Sequence, residues 1–374
     1  MEPILAQFVE VTTDPYHNWP NRFPGRRAFG YISTYVPEEI LHAAGYTPIQ
    51  LFGRRGSILQ AEAHLQSFTC WPARSVLDQA LEGRFDFLEG VALAHTCDAL
   101  HALSEIWREA VPHCQVLNVG QPLNLESPST RPYLMAELQN LVARLGQRSG
   151  QEIGGQTLWE SIHLYNQTRS LIQRLYELSS ILPSPAFFSI VQAAHLMPKD
   201  EYNQLLAQLL AVLEGTKGHG PASGPKLIVV GPVLDDEALY RAIAEAGGQV
   251  VDDMLDLGHL YFQGLVEDGD DPLAALADRY LSLVPIPSKH HPGLRRDKQL
   301  LDLIARREAE GVIFAPQKFC ESHSFDYVIL KRALDQTDVP HLLVEIEQAQ
   351  VTGQTKTRLR AFIEMLTGEK TSEV

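Results

Sequence analysis

Cysteine is scarce. The chain has four in 374 residues, Cys70, Cys97, Cys114 and Cys320, too few and too scattered for a disulfide framework and without the CxxC pair that marks a structural zinc site. No run of about 18 apolar residues occurs, which excludes an ordinary membrane-spanning helix. There is no GxxxxGKS or GxxxxGKT run, and GPVLDDEAL, which follows a predicted strand, has one glycine where a dinucleotide fingerprint needs three. No repeat of fixed period and no low-complexity tail is present. Basic residues are outnumbered, 31 Lys and Arg against 46 Asp and Glu, and the net charge of −15 disfavours nucleic acid as a partner. A local cationic cluster can still hold one anionic ligand against that global sign. The opening MEPILAQFVEVTTDPYHNW carries acidic residues and no basic segment leading into an apolar one, which argues against a secretory signal and for a cytoplasmic protein.

What is present suits a globular enzyme. Hydrophobic content is 45% and charged content 21%, and the length suits two α/β domains. The clearest unit follows the Gly/Pro/Ser-rich stretch GTKGHGPASGPK. LIVVGP (227–232) and QVVDDM (249–254) read as strands flanking the helix DDEALYRAIAEAGG, one βαβ unit. Helix LLDLIARREAEG, strand VIFAP, a helix from Ser324 to Leu334, strand HLLVEIE (341–347) and helix TKTRLRAFIEMLTG continue the alternation. In the first half, PEEILHAAG, WPARSVLDQALEG and DALHALSEIWREA read as helices leading to the strands TPIQLFG, GVALAH (90–95) and CQVLNV (114–119). Residues 129–148 and 157–178 read as long helices. Strands alternating with amphipathic helices specify doubly wound parallel sheets. The expected architecture is an N-terminal segment (1–25), a first Rossmann-like domain with a helical extension (26–220) and a second Rossmann-like domain (221–374), facing each other across an interdomain cleft.

Three of the four cysteines fall at matching places on that map. Cys97 follows GVALAHT and opens a helix, Cys320 follows VIFAPQ and precedes one, and Cys70 precedes WPARSVLDQAL. Unpaired N–H groups in the first turn of a helix favour an anion and lower a thiol's pKa, and ligands of open α/β sheets bind beyond the carboxyl ends of the strands. Thiolates from separate loops are therefore placed to meet in the cleft. Cys114 begins an apolar strand and reads as packing. Core filler, a metal ion and an iron–sulfur cluster with an open coordination position all satisfy this pattern, and spacing alone does not choose among them.

The words around these cysteines carry a resemblance. GYISTYVPEEILHAAGYTPIQLFG, CWPARSVLDQAL, FDFLEGVALAHTCDALHAL, DPLAALADRYL and GVIFAPQKFCESHSFDY followed by HLLVEIEQ and GQTKTRLRAFIEML resemble the 2-hydroxyacyl-CoA dehydratase/benzoyl-CoA reductase family over about residues 28 to 368. The resemblance implies a subunit of two Rossmann-like domains holding a 4Fe–4S cluster through Cys70, Cys97 and Cys320, with a non-cysteine fourth ligand. Four cysteines are too few for the double-cubane cluster of some relatives. It implies one-electron, ketyl-radical chemistry on a CoA thioester, either dehydration of a 2-hydroxyacyl group or, as the alternative, reduction of the benzoyl-CoA ring. An alternative of another class is a cluster-bearing interaction or electron-transfer subunit that binds no substrate. The partners it implies are a related second subunit in a heterodimer, with a homodimer as the alternative, and a separate ATP-hydrolysing iron–sulfur activator, consistent with the missing P-loop.

Further candidates have competing structural readings. Ser33 and Thr34 precede a helix and suit capping, yet the resemblance places this segment beside the cluster and makes Ser33 the first choice for an acid/base or positioning role. His95 and His323 are placed to hydrogen-bond cluster sulfur or substrate, or are satisfied structural histidines. Glu38 and Glu39 suit a helix start; Glu345 and Glu347 share one strand face. Arg74, in a first helical turn, opposes the dipole preference and hints at an anionic partner. SKHHPGLRRDK (288–298) is either a solvated loop or a patch for CoA phosphates, with Lys289, His290, His291 and Arg295 as candidates.

Overall fold

The structure, a computed structural model, describes residues 1–215 and 224–368. It contains two four-stranded parallel sheets. The first consists of β1 (Ala28–Ile32), β2 (Thr47–Gln50), β3 (Val91–His95) and β4 (Val116–Gly120) in the order β2-β1-β3-β4. The second consists of β5 (Lys226–Gly231), β6 (Gln249–Leu255), β7 (Gly311–Phe314) and β8 (His341–Leu343) in the order β6-β5-β7-β8. Both orders place the second strand outside the first and then cross over, so each sheet has one switch point, between β1 and β3 and between β5 and β7, where helices leave in opposite directions. This is the α/β, doubly wound architecture that the alternation predicts. Most of the stretch read as a linker, 216–223, lies outside the described residues.

Sequence and structure differ where a strand defies the usual pattern. β1 has no counterpart among the predicted strands: Gly30 sits in its middle, and a Cβ there would stand 2.9 Å from Leu88 Cδ1. All five of its residues are buried, so close packing, not side-chain alternation, specifies it. β8 ends at Leu343, short of the predicted Glu347, and pairing resumes only at an isolated bridge between Gln317 and Ile346. β6 is buried throughout although it contains Asp252 and Asp253. Asp252 is satisfied by His259 Nδ1 at 2.9 Å and Arg307 Nε at 2.7 Å, and Asp253 accepts from Tyr176 Oη at 2.7 Å.

Apolar cores join the two halves of the chain. The helix Pro272–Ser282, between β6 and β7, lies against the first sheet's layer: Leu276, Ala277 and Tyr280 share a core with Phe29, Tyr31, Ile40, Leu138 and Ile162. A second core joins residues of both sheets, including Ile49, Leu93, Leu227 and Ile313, with the helices Glu2–Thr13, Ser184–Ala193 and Lys199–Gly215. Buried ion pairs lock the same region. Glu39 pairs with Arg169, and Glu38 lies 3.0 Å from Lys199 Nζ. Thus the two glutamates that suit a helix start are anchors of the Glu38–Ala43 helix to the long helices Gly155–Glu177 and Lys199–Gly215.

Candidate functional site

The carboxyl ends of β1, β3, β5, β6 and β7 contribute to one pocket of about 120 Å³. Its lining includes Ser33 and Thr34 after β1, Thr96 and Cys97 after β3, Pro232 and Val233 after β5, Asp256 after β6, and Gln317 and Cys320 after β7. Cys70 joins from the loop preceding its helix. The walls are otherwise largely apolar, with Ile32, Leu51, Val76, Leu103 and Ile286 prominent, an environment that excludes water and strengthens electrostatic interactions.

Each pocket cysteine occupies the N-cap of a helix: Cys70 of Trp71–Leu81, Cys97 of Asp98–Ala110, Cys320 of Glu321–Leu334. The helices begin there because Pro72 is preorganised for a first turn and because Asp98 and Glu321 carry acidic side chains into it. The expected lowering of thiol pKa is overridden. Burial pushes Cys70 up to about 12, the neighbouring Cys320 adds to it, and the Ala73 amide pulls the other way. Cys320 rises to about 11 through burial, opposed by the His323 amide. Cys97 is also raised by burial, against the Leu100 and Ala99 amides. Cys70 and Cys320 each feel the charge of Cys97 as well. The three half-buried thiols resist ionising beside one another, and a bound metal centre deprotonates such ligands outright. Among the described residues no three His, Cys, Asp or Glu side chains group tightly enough for a single metal ion. A cluster makes a different demand, because each thiolate meets its own iron. Three cysteines lining one pocket are the donor type that a cluster uses. Cys114 stands apart, 3% exposed in the core with Trp107 beside it.

Two backbone distortions border the pocket. Ser33 has φ 97° and Phe319, which precedes Cys320, has φ 67°, conformations that side chains with a Cβ adopt at a cost and that concentrate at functional sites. The Ser33 hydroxyl accepts from Tyr35 N at 3.3 Å, and Thr34 Oγ1 donates to the Asp256 carbonyl, tying the end of β1 to the end of β6. His323 is 5% exposed, lines the pocket and places Nε2 3.2 Å from Asp256 Oδ2.

Other candidates lie elsewhere. His95 points outward, stacked on His101 with ring centroids 4.2 Å apart, and does not line the pocket. The 288–298 loop presents no converged cationic patch. Lys289 turns inward, its Nζ 2.9 Å from Gln121 Oε1 and 3.7 Å from the centroid of the Tyr35 ring, and burial pushes it down to about 7. The backbone of His290 is stitched to Leu123 and Leu125, His291 Nδ1 accepts from the Gly293 and Leu294 amides, and Arg295 pairs with Asp297. Ser288 of this loop reaches the pocket. Arg74 has an ordinary partner, Glu62 at 2.8 Å. Glu345 is exposed and Glu347 pairs with Lys318 at 3.0 Å. Sequence reasoning missed Asp256, Gln317 and Gln50, all pocket residues. The rule that sites form beyond strand carboxyl ends, applied to residues just past QVVDDML, would have reached Asp256.

A family model described as 2-hydroxyglutaryl-CoA dehydratase, D-component, matches residues 33–366. Among curated proteins, the lactoyl-CoA dehydratase beta subunit of Anaerotignum propionicum is 27% identical over 98% of this chain and 99% of its own length. A benzoyl-CoA reductase subunit of Thauera aromatica is 28% identical, covering 93% and 92%. The (R)-phenyllactyl-CoA dehydratase beta subunit of Clostridium sporogenes is 25% identical, covering 91% and 92%.

Proposed function

The chain belongs to the 2-hydroxyglutaryl-CoA dehydratase D-component family, and from that membership and the three-thiol pocket we propose that it is the cluster-bearing subunit of an acyl-CoA dehydratase. The observation that carries the reading is the placement of Cys70, Cys97 and Cys320 around one largely apolar pocket beyond the strand ends. These three residues would hold a 4Fe–4S cluster, which when bound supplies a Lewis-acidic iron and single electrons for chemistry on a CoA thioester. The chain's own residues do the rest. Ile32, Leu51, Val76 and Leu103 keep bulk water from the reacting carbonyl, and Ser33 offers a hydroxyl at the pocket wall for positioning it. The relatives named as beta subunits support a related partner subunit, and the missing P-loop supports a separate ATP-hydrolysing activator. The match to a benzoyl-CoA reductase subunit favours a second reading, ring reduction. An electron-carrying subunit that leaves substrate to its partner is the third.

Anaerobic turnover with partner and activator, offering a 2-hydroxyacyl-CoA and benzoyl-CoA in parallel, separates the readings. Loss of water from the hydroxyacyl thioester is expected. Ring reduction alone would replace this reading with the second, and full turnover by a Ser33→Ala variant would favour the third.

A further inference from the structure

Three side chains of the pocket end in an oxygen that no described residue satisfies. Asp256 has Oδ2 occupied by His323 at 3.2 Å while Oδ1 is buried without a partner. Gln317 is 2% exposed and donates Nε2 to the Val233 carbonyl at 3.0 Å, which leaves Oε1 as its free, buried end. Gln50, 1% exposed, donates Nε2 to the Leu51 carbonyl at 3.0 Å and likewise leaves Oε1 unpartnered. In each case the other end of the group is held, so the orientation is fixed by the protein. All three orphans are acceptors. Folded proteins rarely bury an acceptor without a donor, and a group of them in one pocket calls for a ligand that brings the donor.

Asp256 dominates. A hydrogen bond to a carboxylate is about twice as strong as one between neutral groups, and Asp256 is pinned from two sides, by His323 at its side chain and by Thr34 at its carbonyl. A thioester carbonyl is itself an acceptor and cannot satisfy these oxygens; a hydroxyl on the acyl chain can.

We propose that Asp256, assisted by Gln317, is a positioning and specificity-determining residue whose free carboxylate oxygen accepts a hydrogen bond from a hydroxyl on the acyl group of a bound thioester. The proposal rests on the acyl-CoA reading above. It assigns Asp256 no part in bond breaking. Its role is to fix the rotation of the acyl chain and to penalise chains that lack the hydroxyl, because an unhydroxylated chain would bury the carboxylate unpaired.

The test is equilibrium binding, by titration calorimetry, to the full-length protein purified anaerobically with its co-purifying partner and without activator, so that no turnover occurs. The ligands are a 2-hydroxyacyl-CoA, the acyl-CoA of the same length without the hydroxyl, and free CoA. Wild type is expected to bind the hydroxylated thioester about 10- to 100-fold more tightly than its unhydroxylated counterpart. Asp256→Ala is expected to bring the two within about threefold of each other, with the unhydroxylated ligand bound more tightly than by wild type because no carboxylate is left unpaired, and with free CoA bound as by wild type, which shows that the fold is intact. Equal binding of the two thioesters by wild type overturns the proposal without any variant and leaves the acyl-CoA reading standing, as does a preference that survives in Asp256→Ala. Failure of wild type to bind either thioester or free CoA overturns both.

Discussion

Asp235 offers a quantitative test of the packing where the two sheets meet. It lies in the loop after β5, 7% exposed, and its Oδ1 accepts from the Gly53 amide at 2.7 Å, while Oδ2 is buried without a partner among the described residues. The approach is close enough that a Cβ on Gly53 would stand 2.9 Å from Oδ1. Burial raises the Asp235 carboxyl from 3.8 to about 7, the Gly53 amide opposing and Asp236 adding to the rise. Protonated in the folded chain and ionised in the unfolded one, Asp235 makes folding take up a proton between those values. Its contribution is therefore full below 3.8, falls as pH rises through the window and is lost above about 7. The whole effect is about 4 kcal/mol, at about 1.4 kcal/mol per pH unit, of which about 3 kcal/mol falls between about pH 5 and 7. Asn at this position imitates the neutral acid, keeping an acceptor for Gly53. Asp235→Asn should match wild type at and below about pH 3.8 and exceed its stability by about 4 kcal/mol near pH 8, the gap widening by about 3 kcal/mol between about pH 5 and 8. Urea denaturation of both proteins across this range measures it, and the difference between the two profiles cancels every other titrating group. Parallel profiles, or a wild type that gains on the variant as pH rises, would refute the burial argument.

Arg169→Met leaves Glu39 buried and unpaired, and should cost about 3–5 kcal/mol in urea denaturation; the double variant Glu39→Met with Arg169→Met should recover a large part of that loss, and additive losses would contradict the pairing. Ser33→Gly relieves a positive φ and should raise stability by about 1 kcal/mol while lowering anaerobic turnover. A loss of stability on that change would show that the Ser33 backbone is not under strain.

Much of the fold could be read from the chain because its strands and helices announce themselves locally. LIVVG, QVVDDM and GVALAH are β-branched or apolar runs, and DALHALSEIWREA matches its helix at both ends. β1 could not be read that way, since Gly30 exists for the sake of Leu88, far along the chain in an element not yet placed. The N-cap positions of Cys70, Cys97 and Cys320 follow from local rules, so those residues were visible. Their pKa direction was not: helix ends are local, whereas burial and the neighbouring thiols belong to the assembled pocket. Lys289 teaches the same lesson, a cation in a basic loop that reaches inward to Gln121 and Tyr35. Asp256 escaped because one aspartate among several in DDMLDLG carries no signal until β6 ends beside the thiols.

The central claim is that Cys70, Cys97 and Cys320, and not Cys114, hold one cluster. Iron and acid-labile sulfide, determined per chain after anaerobic purification of wild type and of each single Cys→Ser variant, address it directly. About four iron and four sulfide in wild type and in Cys114→Ser, with marked loss of both in the other three, is the predicted result. A colourless protein carrying zinc, or a Cys320→Ser variant with an undiminished complement, would contradict it.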